Sequence, residues 1–449
     1  MPKAWWLVLL AWILAPAQDS APGVEQFSMR VVASGLASPW EMLWGPDGRI
    51  WITERAGQRV IRVNPVDGHV TPALTLPGLL QRHAQDGLLS MAFDPALLRG
   101  ANSDFVYLTM TYDAEAGPAV TGRMRLRRYT YNPRTEELGS PLDLLSDLPA
   151  GEDHVSGRLA FGRDGKLYLT LGDGGFNHRS LFCEPIRAQE MPTGADVAGK
   201  NWQRYTGKIL RINPDGSIPG DNPSFGAVRS HAYTVGHRNA QGLVVAPDGK
   251  VYASEHGPSV DDELNFIQGG KNYGWPYVAG YKDDRVYEYT NWSASSPEPC
   301  RTLTFTERVA PVSVPHQKES AFTDPNFTPP LRTFFTVPND FDFTRQNFVT
   351  IAPSGIDIYT STAIPGWANS ILVTSVTRGT VYRVKLNTAG DAAVGRTLEY
   401  FKSHNRYRDV LVGPDGRTIY AITDASGEGA EQPGSLLAFT WREGIGTGY

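Results

Sequence analysis

Cysteine is almost missing from this chain of 449 residues, in which only Cys183 and Cys300 occur. Neither stands in a CxxC or Cys/His spacing, so a zinc site or a thiol nucleophile has no support. An exported protein could pair the two in an oxidising compartment, but nothing in their spacing asks for it, and the sequence favours two separate thiols. A basic excess is lacking as well. The 42 Lys and Arg residues are outnumbered by 47 Asp and Glu, and the net charge of −5 has the wrong sign for a nucleic-acid binder. The many Gly, Pro and aromatic residues do not fit a disordered chain. Long hydrophobic runs are missing except at the start, where Lys3 precedes an apolar stretch from Ala4 to Leu14 and then Ala15-Pro16-Ala17. That order is the one of a secretory leader. Cleavage is expected near Ala17, leaving residues 18–449 as a single periplasmic or secreted domain, with no cysteine at the cleavage site for a lipid anchor. No later run approaches the roughly 18 to 20 apolar residues of a membrane span.

Long amphipathic helices are absent too. In their place one phrase recurs: an apolar strand, a Pro/Asp/Gly turn, then an apolar strand carrying Tyr or Trp. It starts at Met42, Met91, Leu159, Val244, Thr350 and Val410. Asp-Gly supplies the positive φ of a tight hairpin. Recurrence at intervals of roughly 50 to 105 residues reads as one phrase per propeller blade, so the six phrases imply an all-β, six-bladed β-propeller of four-stranded antiparallel blades. Insertions at Gly172–Gly207, Ser254–Thr290 and Ser313–Asn347 are expected to line one mouth of its channel.

Four clusters carry chemistry. Asp153-His154, before the third phrase, reads as a histidine base supported by a carboxylate or as a surface histidine. Arg238 in the 236–242 cluster GHRNAQG could clamp a carboxylate or hydrogen-bond between blades. The acids from Glu255 to Glu263 and from Tyr281 to Asp284 offer hard oxygen ligands suited to calcium, or are a solvated loop. Arg406 and Arg408 alternate as strand residues do and could meet an anion together, or form structural salt bridges.

These segments, with AQDGLLSMAFDP, GKILRINPDGSIPGDNPSF, GGKNYGWPYVAGYKDD and PGSLLAFT in the same order, resemble the soluble quinoprotein glucose dehydrogenases and aldose sugar dehydrogenases. The resemblance implies a six-bladed propeller with pyrroloquinoline quinone (PQQ) in its mouth, Ca²⁺ as Lewis acid, an aldose as substrate, and an external electron acceptor such as a quinone, dye or small redox protein. It implies that His154 is the general base, that Asp153 and Gln85 position the histidine and the sugar, and that Arg238 stabilises charge on the quinone. Asn239, Arg406, Arg408 and Asp424 would contact the cofactor. The carbonyls of Gly257 and Pro258 would bind the catalytic calcium. A structural calcium would take Glu263, Asp283 and Glu319 side chains and the carbonyls of Tyr273, Ala279 and Tyr281.

The chain departs from the family pattern at three places. Thr377 stands where the glucose enzymes carry a cofactor lysine, with Arg378 next to it as a replacement cation. His178, Arg179, Arg345 and Phe348 occupy sugar-contacting positions, so glucose specificity does not transfer. The family's cysteine-containing insertion is absent, which leaves a homodimer open. Two other functions compete with the dehydrogenase: a non-catalytic binding propeller, which would have no reason to keep Gln85, His154, Arg238, Gly257 and Pro258 together, and a calcium lactonase, which wants a set of carboxylates and amides on a channel metal that is not evident here.

Overall fold

The computed structural model describes residues 20–115, 118–307, 309–344 and 349–443. The expected leader at residues 1–17 and the expected sugar contacts Arg345 and Phe348 lie outside the described residues. Antiparallel sheets succeed one another at 39–75, 88–149, 156–235, 240–334, 353–400 and 407–441. The last is completed by Phe27–Ala33, which pairs with Leu436–Trp441 and joins the two ends of the chain in one blade. Ser20–Pro22 adds a short parallel edge to the fifth. The first strand of each sheet lies against the first strands of its neighbours, Tyr407–Val412 against Pro39–Trp44 included, so the ring closes as a six-bladed β-propeller.

Each blade is covered by another on both faces, so second strands such as IWITE and LYLTL are buried along their whole length rather than alternately. The apolar core is divided accordingly. Leu89 and Leu126 meet Leu159 and Leu169 between the second and third blades, and Tyr252 and Leu264 meet Ile356 and Val373 between the fourth and fifth. Blades are also stitched by a repeated hydroxyl: Thr53, Thr109, Thr170 and Ser254 donate to the carbonyls of Leu89, Gly157, Ala240 and Ser354 in the first strand of the next blade. The turn glycines Gly48, Gly165, Gly249 and Gly416 have φ of 75°, 72°, 89° and 64°, as the phrase requires.

The fifth phrase behaves differently from the others. Its Pro353-Ser354-Gly355 is no turn but the start of the strand Pro353–Tyr359, which pairs with Ser370–Ser375 after a longer loop. Glycine is needed there because a Cβ on Gly355 would lie 1.6 Å from Asp409 Oδ1 of the sixth blade. The second insertion is also shorter than expected. Val251–Glu255 and Asp262–Ile267 are blade strands, and the chain leaves the fourth blade only at 268, returning at Arg332–Phe334. The acids that suggested a loop are buried instead. Asp262 accepts the amides of Gly257, Ile351 and Ala352 at 2.8, 2.6 and 3.1 Å, so its charge serves the backbone rather than solvent.

Candidate active site

Because first strands all start at the same end of the ring, the segments preceding them converge there, and second strands return to the same end. His154 precedes the third blade's first strand, and Asp173 follows its second. The two meet, with His154 Nδ1 2.7 Å from Asp173 Oδ1. Asp173 is fully buried and its other oxygen accepts Trp275 Nε1 at 2.8 Å. A carboxylate on Nδ1 fixes the tautomer with the lone pair on Nε2. Asp153 lies on that other side, Oδ2 4.0 Å from Nε2, and Oδ1 accepts the His154 amide at 2.9 Å and the Gln85 side-chain amide. Burial works to raise the Asp153 pKa, but the His154 charge, the His154 amide and Arg238 outweigh it and hold the carboxyl below its ordinary value. The expected histidine–carboxylate contact therefore comes from Asp173, with Asp153 beside the basic nitrogen.

Gln85 Oε1 gathers the Val155 amide at 3.2 Å and Gln241 Nε2 at 3.0 Å. Asn239 sits beneath it, fully buried, with Oδ1 accepting Ser156 Oγ and Gln241 Nε2, each at 3.0 Å. His237, from the same cluster, is a core residue stacked on Tyr273 and bonded through Nδ1 to Glu255 at 2.8 Å.

The mouth is rich in cations. Arg238 lies over the Trp275 ring at 5.3 Å and donates to the His256 carbonyl at 3.4 Å, while its Nε has no partner. Arg406 precedes the strand Tyr407–Val412 and also has a buried, unpartnered Nε. Arg408 is buried against Trp40 and pairs with Asp424 at 2.7 Å. Burial lowers its pKa, Asp424 opposes this only in part, and the Arg406 and Arg55 charges lower it further. Burial together with Arg238, His154 and Arg408 pushes His256 down to about 3. Thr377 and Arg378, both exposed, join Arg406 around an adjoining open cavity of 540 Å³ and bond the Thr350 carbonyl at 3.1 and 3.3 Å.

Gly257 and Pro258 form a tight turn at the same mouth. A Cβ on Gly257 would lie 1.9 Å from the Val260 carbonyl oxygen, so glycine alone lets the chain fold back there. Pro258, with His154 and Arg238, lines a cavity of 330 Å³. A second group of acids surrounds the 279–284 turn. Glu263 accepts the Gly280 amide at 2.7 Å, and Glu319 accepts those of Ala279, Asp283 and Asp284 at 3.0, 3.1 and 2.9 Å. Burial first, then neighbouring carboxylates, pushes Asp261 and Glu263 well above the carboxylate range and Glu319 to about 7. Burial thus disfavours the charged forms of these acids, a cost that protonation or a bound cation would relieve. Tyr273 turns its hydroxyl away to the Phe266 carbonyl at 2.6 Å, and Tyr281 reaches the Leu331 carbonyl at 3.5 Å.

On the outer wall His178 stacks on His154 at 5.9 Å and bonds Glu307 at 3.1 Å. Arg179 is 70% exposed, with its Nε 3.9 Å from the same Glu307 carboxylate. Cys183 and Cys300 form a disulfide, contrary to the expectation of separate thiols. Sequence spacing hid the pair because the two insertions carrying it fold over the same wall, around Trp292 and Phe305. Sequence reading also missed Asp173, Trp275, Glu307, Arg55 and His256. One signal was available: second strands end on an acid at the mouth, as at Glu54, Asp173, Glu255 and Asp424.

A family model described as Glucose / Sorbosone dehydrogenase matches residues 36–324 and 343–436. The chain is 42% identical to quinoprotein glucose dehydrogenase B of Acinetobacter calcoaceticus, over 96% of this chain and 94% of that one. The PQQ-bound form of the aldose sugar dehydrogenase from Streptomyces coelicolor shares the fold with a TM-score of 0.65 at 24% identity, covering 94% of this chain and 100% of that chain. The human hedgehog-interacting protein is 28% identical over 47% of this chain and 30% of its own length.

Proposed function

Because the chain belongs to the glucose/sorbosone dehydrogenase family, we propose that it oxidises an aldose at the anomeric carbon to the lactone with PQQ and Ca²⁺, using His154 as general base. The observation that carries this reading is the Asp173–His154 pair on the wall of a cavity shared with Arg238 and Pro258. A binding propeller has no need of a carboxylate-backed imidazole on the cavity wall, whereas His237 and His231, equally held, are buried in the scaffold. The mouth fits a tricarboxylate quinone, since Arg238 and Arg406 keep unpartnered nitrogens and Arg408 is crowded by like charge. These three, with Arg378 in place of the family lysine beside Thr377, would hold it, and Asp424 would keep Arg408 oriented.

When bound, the quinone supplies the hydride acceptor that no side chain provides, and calcium polarises its oxygens. His154 Nε2 accepts the anomeric O–H proton as the C–H hydrogen leaves with its electron pair, so the sugar departs as a lactone. Asp173 holds the ring and stabilises the imidazolium that forms. Asp153 and Gln85 place the sugar hydroxyl against Nε2. The turn of Gly257 and Pro258 would offer carbonyls to the catalytic calcium, and Glu263, Glu319 and Asp283 would take a structural one.

The leader expected at residues 1–17 would direct export to the periplasm or beyond, and electrons would pass to an external acceptor. No helix among the described residues is long and apolar enough to cross a membrane. The test is to load purified apoprotein with PQQ and Ca²⁺ and follow dye reduction with a panel of aldoses. Sugar-dependent reduction requiring both additions supports the proposal, and quinone binding without turnover on any aldose defeats it.

A further inference from the structure

We propose that Asp153, His154 and His178 form a site for a divalent transition metal at the mouth of the propeller. The three side chains offer ligand atoms that all lie within 4.8 Å of one another. Each imidazole already has one nitrogen committed to a carboxylate, His154 Nδ1 to Asp173 at 2.7 Å and His178 Nε2 to Glu307 at 3.1 Å. With those nitrogens kept by their carboxylates, the ligating atoms would be His154 Nε2, which lies 4.0 Å from Asp153 Oδ2, and His178 Nδ1. Outer carboxylates on metal-bound histidines fix the tautomer and raise ligand basicity, and both histidines have theirs in place. Phe305 meets the His178 ring edge-on at 5.6 Å and 87°.

Two imidazoles and one carboxylate suit Zn²⁺ or Cu²⁺ rather than calcium. Zinc bonds of about 2.0–2.1 Å put tetrahedral ligands about 3.3 Å apart, so the group, spread over as much as 4.8 Å, must close by about 1.5 Å at its widest. His178 leads into the short turn Arg179–Leu181 and is only partly buried, so it is the member placed to move. The cavity leaves the fourth position to water or a sugar hydroxyl. A metal and a proton cannot share His154 Nε2. Resting on the reading of His154 as base, the metal is therefore an inhibitor competitive with the sugar.

The test uses calcium-saturated apoprotein titrated with Co²⁺ and followed by its visible absorption, with Zn²⁺ as displacing ion. One Co²⁺ in a low-symmetry site, lost in His178→Ala and weakened about 10–100-fold in Glu307→Gln, is the expected result. Unchanged Co²⁺ affinity in His178→Ala, or no Co²⁺ bound once calcium is saturating, overturns the site. Thermal melting of both variants separates ligand loss from misfolding, and Glu307→Gln carries the test if His178→Ala does not fold. Dye reduction by wild type without His178-dependent Co²⁺ binding removes the metal and leaves the dehydrogenase standing. Binding through His178 that fails to inhibit turnover removes His154 as the base.

Discussion

Arg158 and Arg408 occupy comparable places, each in the first strand of its blade and only 2% and 6% exposed, yet the protein treats their charges in opposite ways. Burial disfavours both. At Arg158, deeper in the channel, Asp409 at 3.4 Å and Glu41 at 3.2 Å overcome it, and the guanidinium is held above its ordinary range. At Arg408, beside the mouth, Asp424 is outweighed by burial, Arg406 and Arg55, and the pKa falls. Inside the scaffold the chain neutralises its own charge. At the mouth it leaves positive charge over, which favours an anion brought from outside.

The largest effect expected is on turnover. In cofactor-loaded protein His154→Ala should lower kcat/KM by about 10²–10⁴-fold, measured by dye reduction, with the fold intact. Normal turnover in this variant would show that the paired histidine at the mouth is as structural as its buried counterparts. Arg158→Met should act on stability instead. It strands Glu41 and Asp409 in the channel and should cost about 3–5 kcal/mol in urea unfolding. A silent Arg158→Met would break the contrast from the scaffold side.

His231 shows the scaffold's other solution, which is to keep a buried group uncharged. It is 3% exposed and held between the Tyr205 hydroxyl and the Gly216 carbonyl at 3.0 and 3.1 Å. Burial lowers its pKa from 6.5 to about 4, and the Gly216 carbonyl only partly offsets this. The unfolded chain then binds the extra proton between these values, so stability should fall as pH drops from about 6.5 to about 4, by on the order of 3 kcal/mol. Unfolding free energies of wild type and His231→Gln across that window should diverge by this amount, and parallel curves would refute the assignment.

The blade count was legible because the hairpin phrase is local: Asp-Gly turns and flanking apolar strands are set by neighbours in sequence. A sharper form of the phrase was there as well, since the residue two after the aromatic is Thr53, Thr109, Thr170 or Ser254, whose hydroxyls join the blades. The long-range pairings were less legible. Asp173 closes the third phrase, yet its contact with His154 depends on first and second strands opening at the same end of the ring. The Cys183–Cys300 link depends on two insertions of different blades meeting. The acids of Asp262–Ile267 read as loop because buried carboxylates are rare unless something binds them, and backbone amides do so here.

Arg408→Met tests the mouth directly. Removing one charge-assisted contact should weaken quinone binding by about 1.5–3 kcal/mol, roughly 10- to 150-fold, while costing less stability than Arg158→Met, because Arg406 still faces Asp424. Equal losses of stability in the two variants would erase the difference between the two ends of the channel.

Thr377→Lys runs the comparison in reverse and should have the smallest effect. Thr377 is exposed and gives its hydroxyl to the Thr350 carbonyl at 3.1 Å, so a longer side chain meets no packing barrier. The new ammonium adds to the Arg378 and Arg406 charges around the same cavity. Without ligand it should change stability little, because exposed charges are well screened. With the quinone bound, one further charge-assisted hydrogen bond should tighten binding by about tenfold, read by titrating the apoprotein at fixed calcium. Unchanged affinity would mean that Arg378 already meets the anion there, and that the positive excess at the mouth is matched to its ligand without the lysine.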